Sequence, residues 1–247
     1  MSALMAQGLS RRFGALAAVD AVSITLDAKR IHAVIGTNGA GKSTLINLLS
    51  GELPPSSGTV TLDGQDITRW SQPKRAHAGL NRSYQRNNVF LPLSVRENCR
   101  LAAQARHPAP WKFWQSAQAC RLSQGRADDA MERAGLSAVA ARPAASLSHG
   151  QKRQLEVAMC LATAPRVLLL DEPLAGMGAE ESQRMLDLMQ ALRSDHAILL
   201  VEHDMDAVFA VADTITVMVN GAVLASGTPA QVRTDPQVQH AYLGGHA

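Results

Sequence analysis

The chain holds only three cysteines in 247 residues, Cys99, Cys120 and Cys160. They are odd in number and far apart, with neither metal-ligand spacing nor the density of a disulfide scaffold, which suits a reducing compartment. No run of about 18 or more apolar residues occurs, so no bilayer-spanning helix is expected. The opening Met1-Ser2-Ala3-Leu4-Met5-Ala6-Gln7-Gly8 lacks a basic start and a long apolar segment, so no secretory signal is read and a cytosolic chain is expected. Aromatic residues are 4% of the total, the net charge is only +3, and no dense Lys/Arg block is interleaved with aromatics. A nucleic-acid groove therefore finds no support. Internal repeats and low-complexity linkers are also missing, which argues against a solenoid or a string of beads.

What is present suits a soluble globular protein. With 46% hydrophobic and 18% charged residues, a chain of this length makes one large or two small domains and buries roughly 70 to 75% of its unfolded surface. The most informative stretch is Gly36-Thr37-Asn38-Gly39-Ala40-Gly41-Lys42-Ser43. Glycines at that spacing let successive backbone N–H groups turn toward one anion, Lys42 adds a point charge, and the Ser43 hydroxyl can ligate magnesium. The apolar run Ile31–Ile35 before it reads as a buried strand, and residues 42–50 after it have helical apolar spacing up to Gly51. Strand, loop and helix thus stand in the order that a nucleoside triphosphate requires.

Elsewhere, Val22, Ile24 and Leu26 alternate with polar residues in a half-buried strand over 19–26, and Thr59–Leu62 before Asp63-Gly64 reads as another. From about Leu93 to Leu161 the composition turns to Ala, Gln, Arg and Met, which predicts a largely helical region. Inside it, 107–114 reads as a proline-broken loop with exposed aromatics. Arg166–Leu170 and Ala197–Val201 are continuous apolar runs suited to parallel strands covered on both faces. The first leads into Asp171-Glu172 and the second into Glu202-His203. Asn220-Gly221 predicts a hairpin between 214–219 and 222–225, and Thr228-Pro229 and Asp235-Pro236 each pair a helix cap with a proline at the first helical position.

Two further places carry chemistry. Alone, an acid at a strand end is more often a turn or helix cap; after a phosphate loop, Asp171 is suited to a magnesium shell and Glu172 to polarising a water. Leu147-Ser148-His149-Gly150-Gln151 opens a helix whose first N–H groups favour an anion. A plain serine N-cap explains the same residues. His203 by itself reads as a strand-end histidine, Phe13 as core, and Gln85 as uninformative.

Taken in order, Gly36–Ser43, Tyr84-Gln85, Leu147–Gln151, Leu168–Glu172 and His203 resemble the ATP-binding subunits of ABC transporters, over essentially the whole chain. The blocks Asp171–Met177 and Val201–Met205, and the ending Ala241-Tyr242-Leu243-Gly244, resemble importers of the branched-chain amino acid type, whose relatives handle urea and amides. The resemblance implies an α/β phosphate-loop NTPase of the ABC ATPase fold: a mixed sheet core with an antiparallel β subdomain, from about 1–88 and 162–247, and a helical subdomain over about 89–161. It implies Phe13 stacking on adenine and Gly36, Thr37, Asn38, Gly39, Ala40, Gly41, Lys42, Ser43 and Thr44 around the phosphates of ATP. It further implies Ser43, Gln85 and Asp171 around Mg2+, Glu172 as general base, His203 at the γ-phosphate, and Ser148, Gly150 and Gln151 acting on ATP held by a second ABC ATPase subunit, identical or homologous. Expected partners are that subunit, membrane permease subunits contacted near 85–97 and, indirectly, a solute-binding protein, with no nucleic acid. Two positions depart from the family pattern: His149 stands where many members have glycine, and Gly178 where many have aspartate.

Three rival readings remain. An export or lipid-extraction ATPase of similar length shares the main motifs. A soluble ABC-type ATPase serving ribosomes or DNA would carry two cassettes or long heptad insertions, and neither is seen. A module that binds ATP without cleaving it sits poorly with Glu172 and His203.

Overall fold

The computed structural model describes residues 2–83, 89–106 and 120–243. Along the chain run β1 (Ser2–Phe13), β2 (Leu16–Asp27), β3 (Ile31–Gly36), α1 (Lys42–Ser50), β4 (Ser57–Leu62), β5 (Gln65–Asp66), α2 (Gln72–His77), β6 (Leu80–Arg82), α3 (Val95–Ala105), α4 (Arg121–Arg133), α5 (His149–Ala162), β7 (Val167–Asp171), α6 (Ala179–Leu192), β8 (Ala197–Val201), α7 (Met205–Val211), β9 (Thr214–Val219), β10 (Ala222–Gly227), α8 (Pro229–Thr234) and α9 (Pro236–Leu243). They form two units: Met1–Leu80 with Arg166–Glu172 and Met189–Ala247, and Asn81–Pro165 with Pro173–Leu188.

The first unit is built on strands that are apolar from end to end. Every residue of β3, β7 and β8 is buried, as expected of parallel strands covered on both faces. The sheet order is β10-β9-β3-β8-β7-β6; β9, β3, β8 and β7 run parallel, and β10 returns antiparallel beside β9. Because parallel strands end at the same edge, Gly36, Asp171 and Val201 deliver the loops that follow them to one side, where ligands of open α/β sheets bind.

A second, antiparallel sheet has the order β2-β1-β4-β5. In β2, Val22, Ile24 and Leu26 are buried while Ala21, Ser23 and Thr25 are exposed, so the alternation read from sequence is the one that folds. β1 was not expected from sequence. Its pairing with β2 shifts register between Ala6 and Leu9 and again between Leu9 and Arg11, and such bulges break the two-residue period that a sequence pattern depends on. Leu45, Ile46, Leu48 and Leu49 of α1 join Leu4, Leu9, Val22 and Leu26 of the antiparallel sheet and Val34 and Val201 of the parallel one in a single apolar cluster. Each such side chain stabilises the fold by about 1.5–3 kcal/mol, so the helix after the phosphate loop is held on two sides.

In the second unit α3, α4 and α5 pack on one another through small or flexible side chains, among them Cys99, Ala103, Ala127, Ala130, Met131, Leu155 and Ala158, all buried. Among the described residues, the helical composition of 93–161 is thus expressed as three α-helices, with short 3-10 turns at Ser137–Val139 and Ala144–Ser146. Asn98 is fully buried; its amide donates to the carbonyls of Phe90 and Ser94 and its oxygen accepts from Phe90 N. One polar side chain thereby satisfies the loop entering α3. The loop over 107–114 lies outside the described residues. Among the described residues, no helix is long and apolar enough to cross a membrane.

Candidate functional site

The loop from Gly36 to Lys42 joins a fully buried strand to a helix whose start has no side-chain cap. The first N–H groups of α1 are therefore available to a ligand. Two glycines are dictated by space, and one of them by conformation as well. Gly41 has φ 99, and a Cβ there would collide with the Ala18 carbonyl; a Cβ on Gly36 would collide with the Met218 carbonyl. Side chains at either place would push the loop off the strands that carry it. Thr37, Asn38, Gly39 and Ser43 are exposed, Thr44 is half-buried, and Ala40 is buried, with its N–H bonded to the Thr37 carbonyl at 3.1 Å.

The loop is braced by a residue that sequence reasoning did not connect to it. Gly221, at the tip of the β9–β10 hairpin, donates its N–H to the Ala40 carbonyl at 3.1 Å and accepts from Asp20 N at 2.8 Å. Asn220 and Gly221 have φ of 49 and 83, the primed turn that Asn-Gly predicts. The hairpin was legible, but its use as a support for the phosphate loop was not.

Lys42 is buried, and its Nζ donates to the Gly36 carbonyl at 2.7 Å and the Thr37 carbonyl at 3.1 Å. Burial pushes its pKa below the usual lysine value, while the negative charges of Glu172 and then Asp171 pull it back up. The charges of the two acids thus act on the lysine that ends the loop. Asp171 ends β7, buried and in register with Val201 of β8. Glu172 is the first residue beyond the strand; its N–H bonds to the Val201 carbonyl at 2.8 Å and its φ is 47. A glutamate in the left-handed region is uncommon and costs on the order of 1 kcal/mol or more, a strain that recurs at functional sites.

His203 follows β8. Its side chain is 62% exposed, while that of Glu202 is 0% exposed; Nδ1 lies 3.6 Å from Glu202 Oε2, which also accepts from His203 N at 3.1 Å. A buried carboxylate thus holds the His203 backbone and lies beside its exposed imidazole. Sequence reasoning did not single out Glu202, although an acid ending an apolar strand was its signal. Phe13 closes β1 at 46% exposure, with the Arg11 guanidinium carbon 4.8 Å from its ring centroid. Phe13 pairs with Leu16 at the end of the β1–β2 hairpin, whose residue Ala18 abuts Gly41. A half-open aromatic face therefore stands on the hairpin that touches the phosphate loop.

In the second unit, Ser148 caps α5. Its Oγ accepts from Gln151 N at 3.1 Å and its N–H donates to Gln151 Oε1 at 3.1 Å, a reciprocal capping box. The cap leaves the N–H groups of His149 and Gly150 to other acceptors. Gln85 and its neighbour Tyr84 lie outside the described residues. Ser43 and Asp171 contribute a hydroxyl and a buried carboxylate; oxygen donors of that kind fit a hard dication that also binds phosphate and water.

The chain matches the family model for the ABC transporter over residues 19–175 and that for the branched-chain amino acid ATP-binding cassette transporter over residues 222–247. It is 39% identical over 249 residues to the high-affinity branched-chain amino acid transport ATP-binding protein BraF of Pseudomonas aeruginosa, covering 98% of this chain and 97% of the relative. It is 38% identical over 248 residues to LivG, of the same description, from Escherichia coli, with the same coverages. Among solved structures, the ADP conformation of an ATP-binding cassette of an ABC transporter superposes with a TM-score of 0.87 at 29% identity, covering 99% of each chain. Near full-length kinship, a cassette fold and a phosphate loop facing an acid pair converge: the chain belongs to the ABC transporter family, among its ATP-binding, ATP-hydrolysing subunits.

Proposed function

We propose that this ATPase drives import of branched-chain amino acids, or a related small organic solute, through separate permease subunits on the inner face of the cell membrane. It does so by closing with a second cassette, identical or homologous, around ATP. A solute-binding protein delivers the cargo from the other side. The observation that carries the cargo class is the similarity running from the phosphate loop to the tail: the 222–247 match and the full-length kinship to BraF and LivG. An ATP-binding protein of a lipopolysaccharide export system, from Haemophilus influenzae, also aligns over nearly the whole chain, but at 29% identity against 39% for BraF and 38% for LivG.

The residue roles are those the family resemblance implies, and the placement of Lys42, Asp171 and Glu172 supports them. Phe13 stacks on adenine, and backbone N–H groups from 37–44 wrap the phosphates. Lys42 exchanges the Gly36 and Thr37 carbonyls for phosphate oxygens, a trade of neutral for charged acceptors that strengthens its hydrogen bonds. Ser43, Asp171 and Gln85 hold magnesium or its waters. When bound, that ion neutralises charge on the phosphate oxygens. Glu172 takes the proton of the water whose oxygen attacks the γ-phosphorus, as the bond to the β–γ bridging oxygen breaks and ADP leaves. His203, steadied by Glu202, donates to the γ-phosphate. Ser148, Gly150 and Gln151 act on the ATP of the other cassette, as a helix start acts on an anion.

The experiment is uptake of radiolabelled leucine, isoleucine and valine in cells lacking this gene. Uptake should fall on deletion, return with the wild-type chain, and stay low with Glu172→Gln. Unchanged uptake of all three on deletion would reassign the cargo. Unchanged ATP hydrolysis by Glu172→Gln would remove Glu172 from the proton-accepting role.

A further inference from the structure

The first turn of α6 brings a carboxylate to the start of α5. Ser148 Oγ donates to Glu181 Oε1 at 2.9 Å. A Cβ built on Gly150 would collide with the Glu181 carboxyl group, with both oxygens 2.7 Å away. The carboxylate therefore rests against the bare glycine backbone, and any larger residue at 150 would expel it. A second contact holds the segment that leads there. His149 Nε2 donates to the Ala175 carbonyl at 3.0 Å, and its ring fills the space beside Gly176, where a Cβ would lie 3.1 Å from Nε2 and where φ is 73. Two adjacent residues of the α5 start, Ser148 and His149, thus grip two points of the stretch 175–181.

The chemistry of this seat is that of an anion site. α5 is 14 residues long with no acidic residue in its first turn, so nothing on the helix itself neutralises its positive end. Glu181 also lies in the first turn of α6, so the partial charges of two helix starts act on one carboxylate. A phosphate oxygen placed there would meet the same hydroxyl and the same backbone.

We propose that Glu181 is an internal stand-in for the γ-phosphate: in the lone cassette its carboxylate fills the seat made by Ser148 and Gly150. It must swing away before that seat closes on nucleotide held by a second cassette. The proposal rests on reading 148–151 as the segment that faces a phosphate. It makes Glu181 a competitor whose occupancy lowers the apparent anion affinity of the seat by the fraction of time the seat is free. Closure is thereby made conditional on a ligand with more charge and more acceptors than a carboxylate. His149, in place of the family's more frequent glycine, keeps the competitor within reach.

The test is a titration of the full-length chain with inorganic phosphate, following the amide resonances of His149 and Gly150 in two-dimensional proton–nitrogen spectra. Gly39 and Gly41 serve as the internal reference for the phosphate loop. Glu181→Ala should show shifts at the α5 start at phosphate concentrations on the order of tenfold lower than the wild type, with Glu181→Gln between them. Spectral dispersion checks that each variant is folded, and Glu181→Gln keeps the side-chain volume. Equal affinities in wild type and Glu181→Ala would overturn the stand-in while leaving the phosphate-facing role of 148–151 in place. Silence at His149 and Gly150 in every protein, with Gly39 and Gly41 responding, would overturn both.

Discussion

Lys42 donates through its Nζ to the carbonyl of Gly36 at 2.7 Å, across the loop that both residues bound. The lysine is thus satisfied before nucleotide arrives and needs only to exchange acceptors, not to be recruited from solvent. Lys42→Ala removes the charge while leaving two exchangeable carbonyls. The expected outcome is a loss of kcat/KM for ATP of about 10²–10³-fold with little change in the urea unfolding midpoint. Steady-state kinetics and equilibrium unfolding on the same preparation check both halves.

Glu172 occupies the left-handed region at φ 47, so two effects should separate. Glu172→Gln is expected to lower turnover by about 10²–10⁴-fold while retaining ATP binding. Glu172→Gly loses the carboxylate as well, but relieves the backbone. It should melt above Glu172→Gln by a difference of about 1 kcal/mol, or a few degrees in a chain this size. A glycine variant that melts below the glutamine one would show that the conformation carries no strain.

Arg75 anchors the far end of the phosphate-loop helix. Its buried guanidinium donates to the carbonyls of Leu48 at 2.9 Å and Leu49 at 2.7 Å, and also to those of Thr68 and Trp70. Burial pushes its pKa down to about 10, so it remains charged at neutral pH and complements the negative end of α1. Arg75→Met should leave these carbonyls without their donor and cost about 2–4 kcal/mol in urea unfolding. Arg75→Lys should recover only part, because one ammonium cannot reach all four carbonyl acceptors that the planar guanidinium fork spans.

His32 is expected to make stability depend on acid. Its Nδ1 faces the Thr25 carbonyl at 3.0 Å, so that nitrogen carries the proton; Nε2 accepts from Thr216 Oγ1 at 2.8 Å, and Thr216 Oγ1 in turn accepts from Ser226 Oγ. Burial lowers the pKa below the ordinary 6.5, against the Thr25 hydrogen bond and the charge of Asp27. Below pH 6.5 the unfolded chain gains a proton that the folded chain refuses. The contribution is therefore complete above that pH and lost progressively as pH falls toward the folded value. Between pH 7.5 and 5.5 the wild type should lose up to about 1 kcal/mol more than His32→Gln. Parallel slopes in urea titrations at the two pH values would contradict this.

Much of the architecture is readable from neighbours in the chain. The apolar runs before Gly36, Asp171 and Glu202 become β3, β7 and β8. The helix after the phosphate loop ends at Gly51, whose φ of 82 a glycine accepts freely. Asn220-Gly221 turns the last hairpin. β1 escapes such reading because its bulges shift register twice within six residues. Glu181 escapes it because nothing adjacent to that acid in the sequence tells that it will meet Ser148.

The sequence alone determined β2, β3, β7, β8, the closing hairpin and the phosphate chemistry of 36–44, since period, capping and glycine tolerance act over a few residues. The tertiary structure decided that Gly221 braces Ala40, that Arg75 closes α1, that β8 holds Glu172 in its left-handed conformation, and that Glu181 reaches Ser148, 33 residues away. Contacts at such separations depend on which packing closes the whole chain at lowest free energy. No local pattern encodes that choice.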